Sequence, residues 1–220
     1  VNFDVMKDAG AEFVFIKASQ DVWQDKTFAY NWPAAKAAGL IRGQYHYLSY
    51  TRDPRKQAEF TWSLTEDDPG ELPIVADYEY WGTVPDDPMD YLWGFVDTIE
   101  RLSGKKPIIY TGAFFWTKAA SKAWAQFPLW IASYSRQDYM ERNIAQRMPW
   151  DTWTFWQYTD KGDGRKYGVE SEQIDLDYFN GSIEQLREFA GVPGDEPQPE
   201  PEPNGTEKLA RLWAAHPELH

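Results

Sequence analysis

Short β-branched or aromatic runs alternate with stretches of helical spacing along this chain, and that alternation restricts it to repeated β-α units around a largely parallel sheet. Strands are predicted at 13–18, 41–48, 73–80, 107–111, 129–134, 152–158 and 173–177. Between the earlier ones lie predicted helices. One covers 27–38 and stops at Gly39, one starts at Asp53-Pro54 and runs to about Leu64, and two more cover 87–102 and 113–125. From Leu129 onward the connections, such as 160–168, are polar and glycine-containing with little helical periodicity, so the second half reads as strand-rich.

The apolar, periodic part spans residues 1–191 of the 220, enough for one large domain built as a barrel or a doubly wound sheet. Residues 192–205 form an acidic proline-rich stretch that favours extended polyproline II and reads as a linker. Residues 206–220 are too few to bury a core and read as the start of a second module or a tail.

Composition removes several classes of function. Acidic residues outnumber basic ones 35 to 22, and no cluster of Lys or Arg is present to grip phosphates, which argues against nucleic acid as a partner. With no cysteine there is no disulfide framework, thiol nucleophile or Cys-based zinc site. His46, His216 and His220 lack metal-ligand spacing, so no metal or other cofactor is expected. No apolar run is long enough to span a membrane. Twelve Trp in a chain that is 17% aromatic exceed what a core requires, and many sit beside polar residues, as in platforms on which sugar rings stack.

The strongest local signal is Leu72-Pro73-Ile74-Val75-Ala76-Asp77-Tyr78-Glu79-Tyr80, an apolar strand that presents two acids at i and i+2. Side chains alternate across a strand, so both carboxylates point the same way, about 6.6 Å apart along the backbone. Mutual repulsion and burial leave one of them protonated to higher pH, as a general acid requires. Glycosidic cleavage needs that donor and a second carboxylate; the spacing falls between the retaining and inverting ranges and leaves the stereochemistry open. Ile174-Asp175-Leu176-Asp177 again places two carboxylates on one face, and in a closed barrel one of them would meet Asp77 and Glu79. Lys17, ending Phe13-Val14-Phe15-Ile16, is placed to orient substrate or tune a carboxylate, while Tyr45, His46, Tyr47, Tyr110, Trp130, Trp156 and Gln157 lie at or near strand ends where they could line one cleft.

At these residues the sequence resembles glycoside hydrolase family 25, the Chalaropsis-type lysozymes of bacterial autolysins and phage endolysins. The likeness runs from about Val1 to Phe189 through Phe13-Val14-Phe15-Ile16-Lys17-Ala18, Ala37-Ala38-Gly39-Leu40, Gly43-Gln44-Tyr45-His46-Tyr47, residues 72–79, Pro107-Ile108-Ile109-Tyr110-Thr111-Gly112, Pro128-Leu129-Trp130-Ile131-Ala132, Trp153-Thr154-Phe155-Trp156-Gln157-Tyr158 and Ile174-Asp175-Leu176. The resemblance implies an α/β fold, an irregular TIM-like (β/α)5(β)3 barrel, and hydrolysis of the β-1,4 bond from N-acetylmuramic acid to N-acetylglucosamine in peptidoglycan. It further implies Glu79 as proton donor, Asp77 as the stabilising or orienting carboxylate and Asp175 as an accessory acid. Lys17, Tyr45, Tyr47, Tyr110, Trp130 and Gln157 would contact the sugar. The family is described as retaining, with the substrate acetamido oxygen as attacking group. A monomer, secreted, wall-associated or released at phage lysis, is expected.

Two departures from the family pattern stand out. Its opening strand, with an aspartate in a D-V-S-x-W/Q pattern, has no counterpart before Val1. A barrel without it keeps an unpaired edge and exposed apolar core, which weighs against full stability and activity of the chain as it stands. Ala18-Ser19-Gln20-Asp21 also replaces a Thr/Ser-Glu-Gly segment. Two other readings of the residues remain: a non-catalytic wall-binding module that keeps the aromatic groove, and a barrel hydrolase acting on another N-acetylated polymer such as chitin.

Overall fold

A computed structural model describes residues 1–79, 88–116 and 121–193. The linker and tail, apart from residues 192 and 193, lie outside these residues, as do Tyr80, Asp87 and part of the helix predicted over 113–125.

The β-α alternation folds into a single curled sheet with the strand order β2-β1-β3-β4-β5-β6-β7-β8. The strands are β1 (Phe13–Gln20), β2 (Trp23–Gln24), β3 (Ile41–Tyr47), β4 (Val75–Asp77), β5 (Ile108–Gly112), β6 (Leu129–Ala132), β7 (Phe155–Asp163) and β8 (Gln173–Phe179). Pairing is parallel from β1 through β3 to β7, while β2 and β8 pair antiparallel with their neighbours. The helices are α1 (Phe3–Asp8), α2 (Phe28–Ala37), α3 (Pro54–Ser63), α4 (Pro88–Ser103), α5 (Gln137–Arg147) and α6 (Ile183–Ala190). Local chemistry sets their ends. The Asn2 side chain accepts from Val5 N at the start of α1, Asp53 caps α3 with Pro54 in its first turn, and Ser182 and Gln185 form a reciprocal capping box on α6, which Gly191 ends in the left-handed region.

Two-residue alternation sends each strand's side chains to opposite faces. The inner face buries Ile41, Val75, Ile108, Tyr110, Trp130 and Phe155, with Phe13 and Phe15 of β1 packed against them. On the outer face, Ile74, Ala76, Ile109, Leu129 and Ile131 meet Leu92, Phe95, Val96 and Ile99 of α4. A third cluster joins Ile16 and Ala18 to Phe28, Trp32 and Ala35 of α2 and to Phe3 and Met6 of α1. Beside it the guanidinium of Arg42 is fully buried, pairing with Asp68 and Glu71 at 2.9 Å each over the ring of Trp32.

The sheet forms a half barrel. Among the described residues no ladder joins β1 to β8, and β2 covers only Ser19 and Gln20 of β1. A seam without strand pairing therefore runs between the two, spanned by α1, whose Asn2 N donates to Gly168 O at 2.8 Å.

Several elements depart from expectation. The segment predicted as a helix over 113–125 holds two 3-10 turns, Ala113–Phe115 and Lys122–Gln126, because Trp116, Trp124, Phe127 and Trp150 bury together in the outer core and that packing overrides helix propensity. Helix α5 occupies a stretch expected to be helix-poor; only Met140 and Ile144 of it are buried, too narrow a stripe to register as periodicity. β7 runs on to Asp163, through part of the predicted polar connection, because β8 pairs with it there across two register shifts. β4 ends at Asp77, so Glu79 lies in the connection that follows it.

Candidate active site

Strand register, parallel as far as β7 and antiparallel between β7 and β8, brings the candidate residues together on one side of the sheet. Tyr47 stands opposite Asp77, Asp77 opposite Tyr110, Tyr110 opposite Trp130, Ala132 opposite Gln157, and Gln157 opposite Asp177. A cavity of about 670 Å³ opens inside this curve. Its wall includes Asp77, Glu79 and Asp175 together with Tyr45, Tyr110, Trp130 and Gln157. It continues beneath them along the seam, past Phe13 and Phe15 on one side and Ile174 and Leu176 on the other. Lys17 and Tyr47 stand beside the cavity rather than in its wall, with Lys17 Nζ 5.4 Å from the Tyr47 ring centre and 5.8 Å from that of Trp23. Lys17 also donates to Gln20 Oε1 at 3.1 Å.

The carboxylates feel one another. Asp77 is buried and its Oδ1 has no hydrogen-bond partner. Burial first and the charge of Glu79 second raise its proton affinity well above that of an ordinary aspartate, opposed by Lys17. Glu79, half-buried, is raised by burial and then by Asp175, again opposed by Lys17. Asp175 is raised by burial and then by Asp160. Phenols close the surroundings: burial, followed by the charge of Asp77, pushes Tyr45 and Tyr110 well above the usual tyrosine range. A site of this kind supplies protonated and ionised carboxyl groups within one aromatic-walled recess, the equipment for acid–base cleavage of a glycosidic bond.

The sequence profile of Glycosyl hydrolases family 25 matches residues 1–166. The chain belongs to glycosyl hydrolase family 25. Among the relatives of this family 25 chain, the uncharacterized protein YegX of Escherichia coli (strain K12) is 32% identical over 188 residues, covering 84% of the chain and 65% of YegX. The chain thus spans slightly less than two thirds of that relative. Lysozyme M1 of Streptomyces globisporus is 29% identical over 209 residues, covering 86% of the chain and 67% of the lysozyme. Among solved structures, the muramidase from Trichobolus zukalii superposes with a TM-score of 0.71 at 30% identity, over 86% of this chain and 92% of that one. The bacterial lysozyme from Streptomyces coelicolor gives 0.72 at 26%, over 86% and 91%.

Of the two acids read on one face of β8, only Asp175 was given a role from the sequence, and Tyr134 was not singled out. Asp177 lies in the cavity wall below Asp175 and accepts from Trp130 Nε1 at 2.7 Å. Burial and the charge of Asp175 push its pKa up to about 7 against that hydrogen bond. Tyr134, just past β6, donates to Gln157 Oε1 at 2.8 Å. The signal for Asp177 was its alternation with Asp175; for Tyr134 it was the spacing Trp130, Ala132, Tyr134. No group of three His, Cys, Asp or Glu side chains able to hold a metal occurs among the described residues.

Proposed function

We propose that this family 25 chain hydrolyses peptidoglycan at the β-1,4 bond between N-acetylmuramic acid and N-acetylglucosamine. The observation that carries the reading is the meeting of Asp77, Glu79 and Asp175, from the ends of β4 and β8, at one phenol- and indole-walled cavity. Relatives named lysozyme and solved structures named muramidase support it. The curled sheet supports reading the domain as an irregular (β/α)5(β)3 barrel open along one side.

In this reading Glu79 is the proton donor. It is less deeply buried than Asp77, it faces the cavity, and its neighbours hold its proton to higher pH than a free glutamate would. Its proton passes to the leaving glycosidic oxygen as the C1–O bond breaks. The substrate acetamido oxygen attacks C1, and Asp77, whose Oδ1 is unpartnered, accepts the acetamide N–H and orients the group. Water then opens the cyclic intermediate, giving its proton to Glu79 and retaining configuration. Asp175 is the accessory acid. Tyr45, Tyr47, Tyr110, Trp130, Gln157 and Lys17 shape the sugar site. Residues 192–205 serve as a tether to a further module. Such a chain works outside the cytoplasm or after phage lysis; no helix among the described residues is long and apolar enough to cross a membrane.

Glu79→Gln is the direct test. Wild-type protein releases new reducing ends from peptidoglycan and clears cell walls, while Glu79→Gln does neither; full turnover by the variant refutes the donor assignment. Chitin assayed beside peptidoglycan separates the two N-acetylated substrates. The open seam beside Asp175 favours one competing reading, a wall-binding module, which would sediment with walls and release nothing.

A further inference from the structure

The side-chain amide of Gln157 is committed on both ends. Its Oε1 accepts from Tyr110 Oη at 2.9 Å and from Tyr134 Oη at 2.8 Å, and its Nε2 donates to Asp175 Oδ2 at 3.2 Å. Gln157 and Tyr110 are buried, whereas Tyr134 has 56% of its surface exposed and its hydroxyl tied to Gln157. A carboxamide has one accepting end and one donating end. Two phenol protons on the carbonyl leave only the N–H side to meet Asp175. Turned around, the amide would set its carbonyl against a carboxylate oxygen and strand the buried Tyr110 phenol proton, which is costly.

We propose that Tyr134 and Gln157 are positioning residues of the hydrolase: Tyr134, with Tyr110, fixes the Gln157 amide N–H side toward Asp175 and so holds Asp175 as an anion beside Glu79. This rests on the reading of Glu79 as proton donor. Asp175 is the charged group that most favours the proton on Glu79. A donor aimed at Asp175 thus helps keep Glu79 in its acid form without touching it. Tyr134 does this from a strand end 23 residues away from Gln157 in the chain.

The design predicts that two neighbouring carboxyls move in opposite directions when the relay is cut. In Gln157→Leu, Asp175 loses an N–H donor and titrates at higher pH. Glu79 then faces a neutral neighbour over a wider range and titrates at lower pH. Simple loosening of the site would admit water to both groups and bring both down together. Tyr134→Phe keeps the ring and removes only the hydroxyl, so it moves both groups in the same senses by less, since Tyr110 still holds the carbonyl.

Carboxyl-detected 13C titration of wild type, Gln157→Leu, Tyr134→Phe and the control Tyr139→Phe on the outer helix α5 reads this directly. Release of reducing ends from peptidoglycan across pH is measured alongside. The expected result is opposed movement of Asp175 and Glu79 and no change in the control. In the rate profile the basic limb moves to lower pH, with kcat falling about tenfold at alkaline pH for each unit that Glu79 moves. Midpoints that fall together, or do not move in Gln157→Leu, overturn the proposal. Opposed titration shifts in a wild-type protein that cleaves no wall would sink the hydrolase reading and leave the relay standing; normal cleavage with unmoved midpoints would do the reverse.

Discussion

Replacing Asp177 with Asn should make the protein more stable at neutral pH, by an amount that grows as pH rises. Asp177 is lifted from the ordinary aspartate value of 3.8 to about 7 by burial and by Asp175. The folded state therefore binds a proton that the unfolded chain has released between about pH 4 and 7. The sign follows: the contribution is fully favourable below about pH 4 and is lost as pH climbs through 7. Three pH units correspond to about 4 kcal/mol. Asp177 keeps some contact with the open cavity, and screening there brings the expected effect to roughly 2 kcal/mol. Asn retains an oxygen for Trp130 Nε1 and carries no charge. Urea unfolding of both proteins at pH 4, 6 and 8 should show near-equal stability at pH 4 and a gain of roughly 2 kcal/mol for the variant at pH 8. A pH-independent difference, or a variant weaker at pH 8, would refute the reasoning.

Two further predictions concern groups outside the cavity wall. His46 is wholly buried, with Nδ1 2.8 Å from Ser19 Oγ and Nε2 3.1 Å from Gln57 Oε1; burial lowers its pKa from 6.5 to about 4 despite the Gln57 contact. Its imidazole should stay neutral in NMR titrations until near pH 4, and stability should fall by roughly 3 kcal/mol as pH drops from 6.5 to 4; a ring that titrates near 6.5 would contradict this. Arg42→Met should cost about 2–3 kcal/mol in urea unfolding at pH 7, below the usual loss for a fully buried ion pair because Asp68 and Glu71 keep 39% and 27% of their side-chain surface in water; unchanged stability would show that the pairing contributes nothing net.

How far the sequence could be read depends on the range of the interaction. Strand positions were legible because alternation is local, and Asp77, Glu79 and Asp175 were legible because acids on an apolar strand are conspicuous. Strand limits were less so: β4 stops at Asp77, since the ladder from Tyr47 to Tyr110 ends there. Helix α5 hid behind a single buried residue per turn, Met140 and Ile144. The partners of Gln157 lie 18, 23 and 47 residues away and meet only through lateral register. Arg42 offered no local hint either, because Asp68 and Glu71 reach it from a loop 26 and 29 residues further on.

A closed ring of strands resists distortion as a hoop does, each member being held from both sides. Here, among the described residues, strand ladders join the wall that bears Lys17 to the wall that bears Asp175 only the long way round, through six successive pairings. The short way is spanned by α1, where Asn2 N donates to Gly168 O at 2.8 Å and Phe3 and Met6 cluster with Ile16 and Ile174. The strand framework is a C-shaped clip with α1 as its clasp. In the proposed function α1, lying across the gap of that clip, is therefore the part that sets how tightly a sugar chain would be gripped.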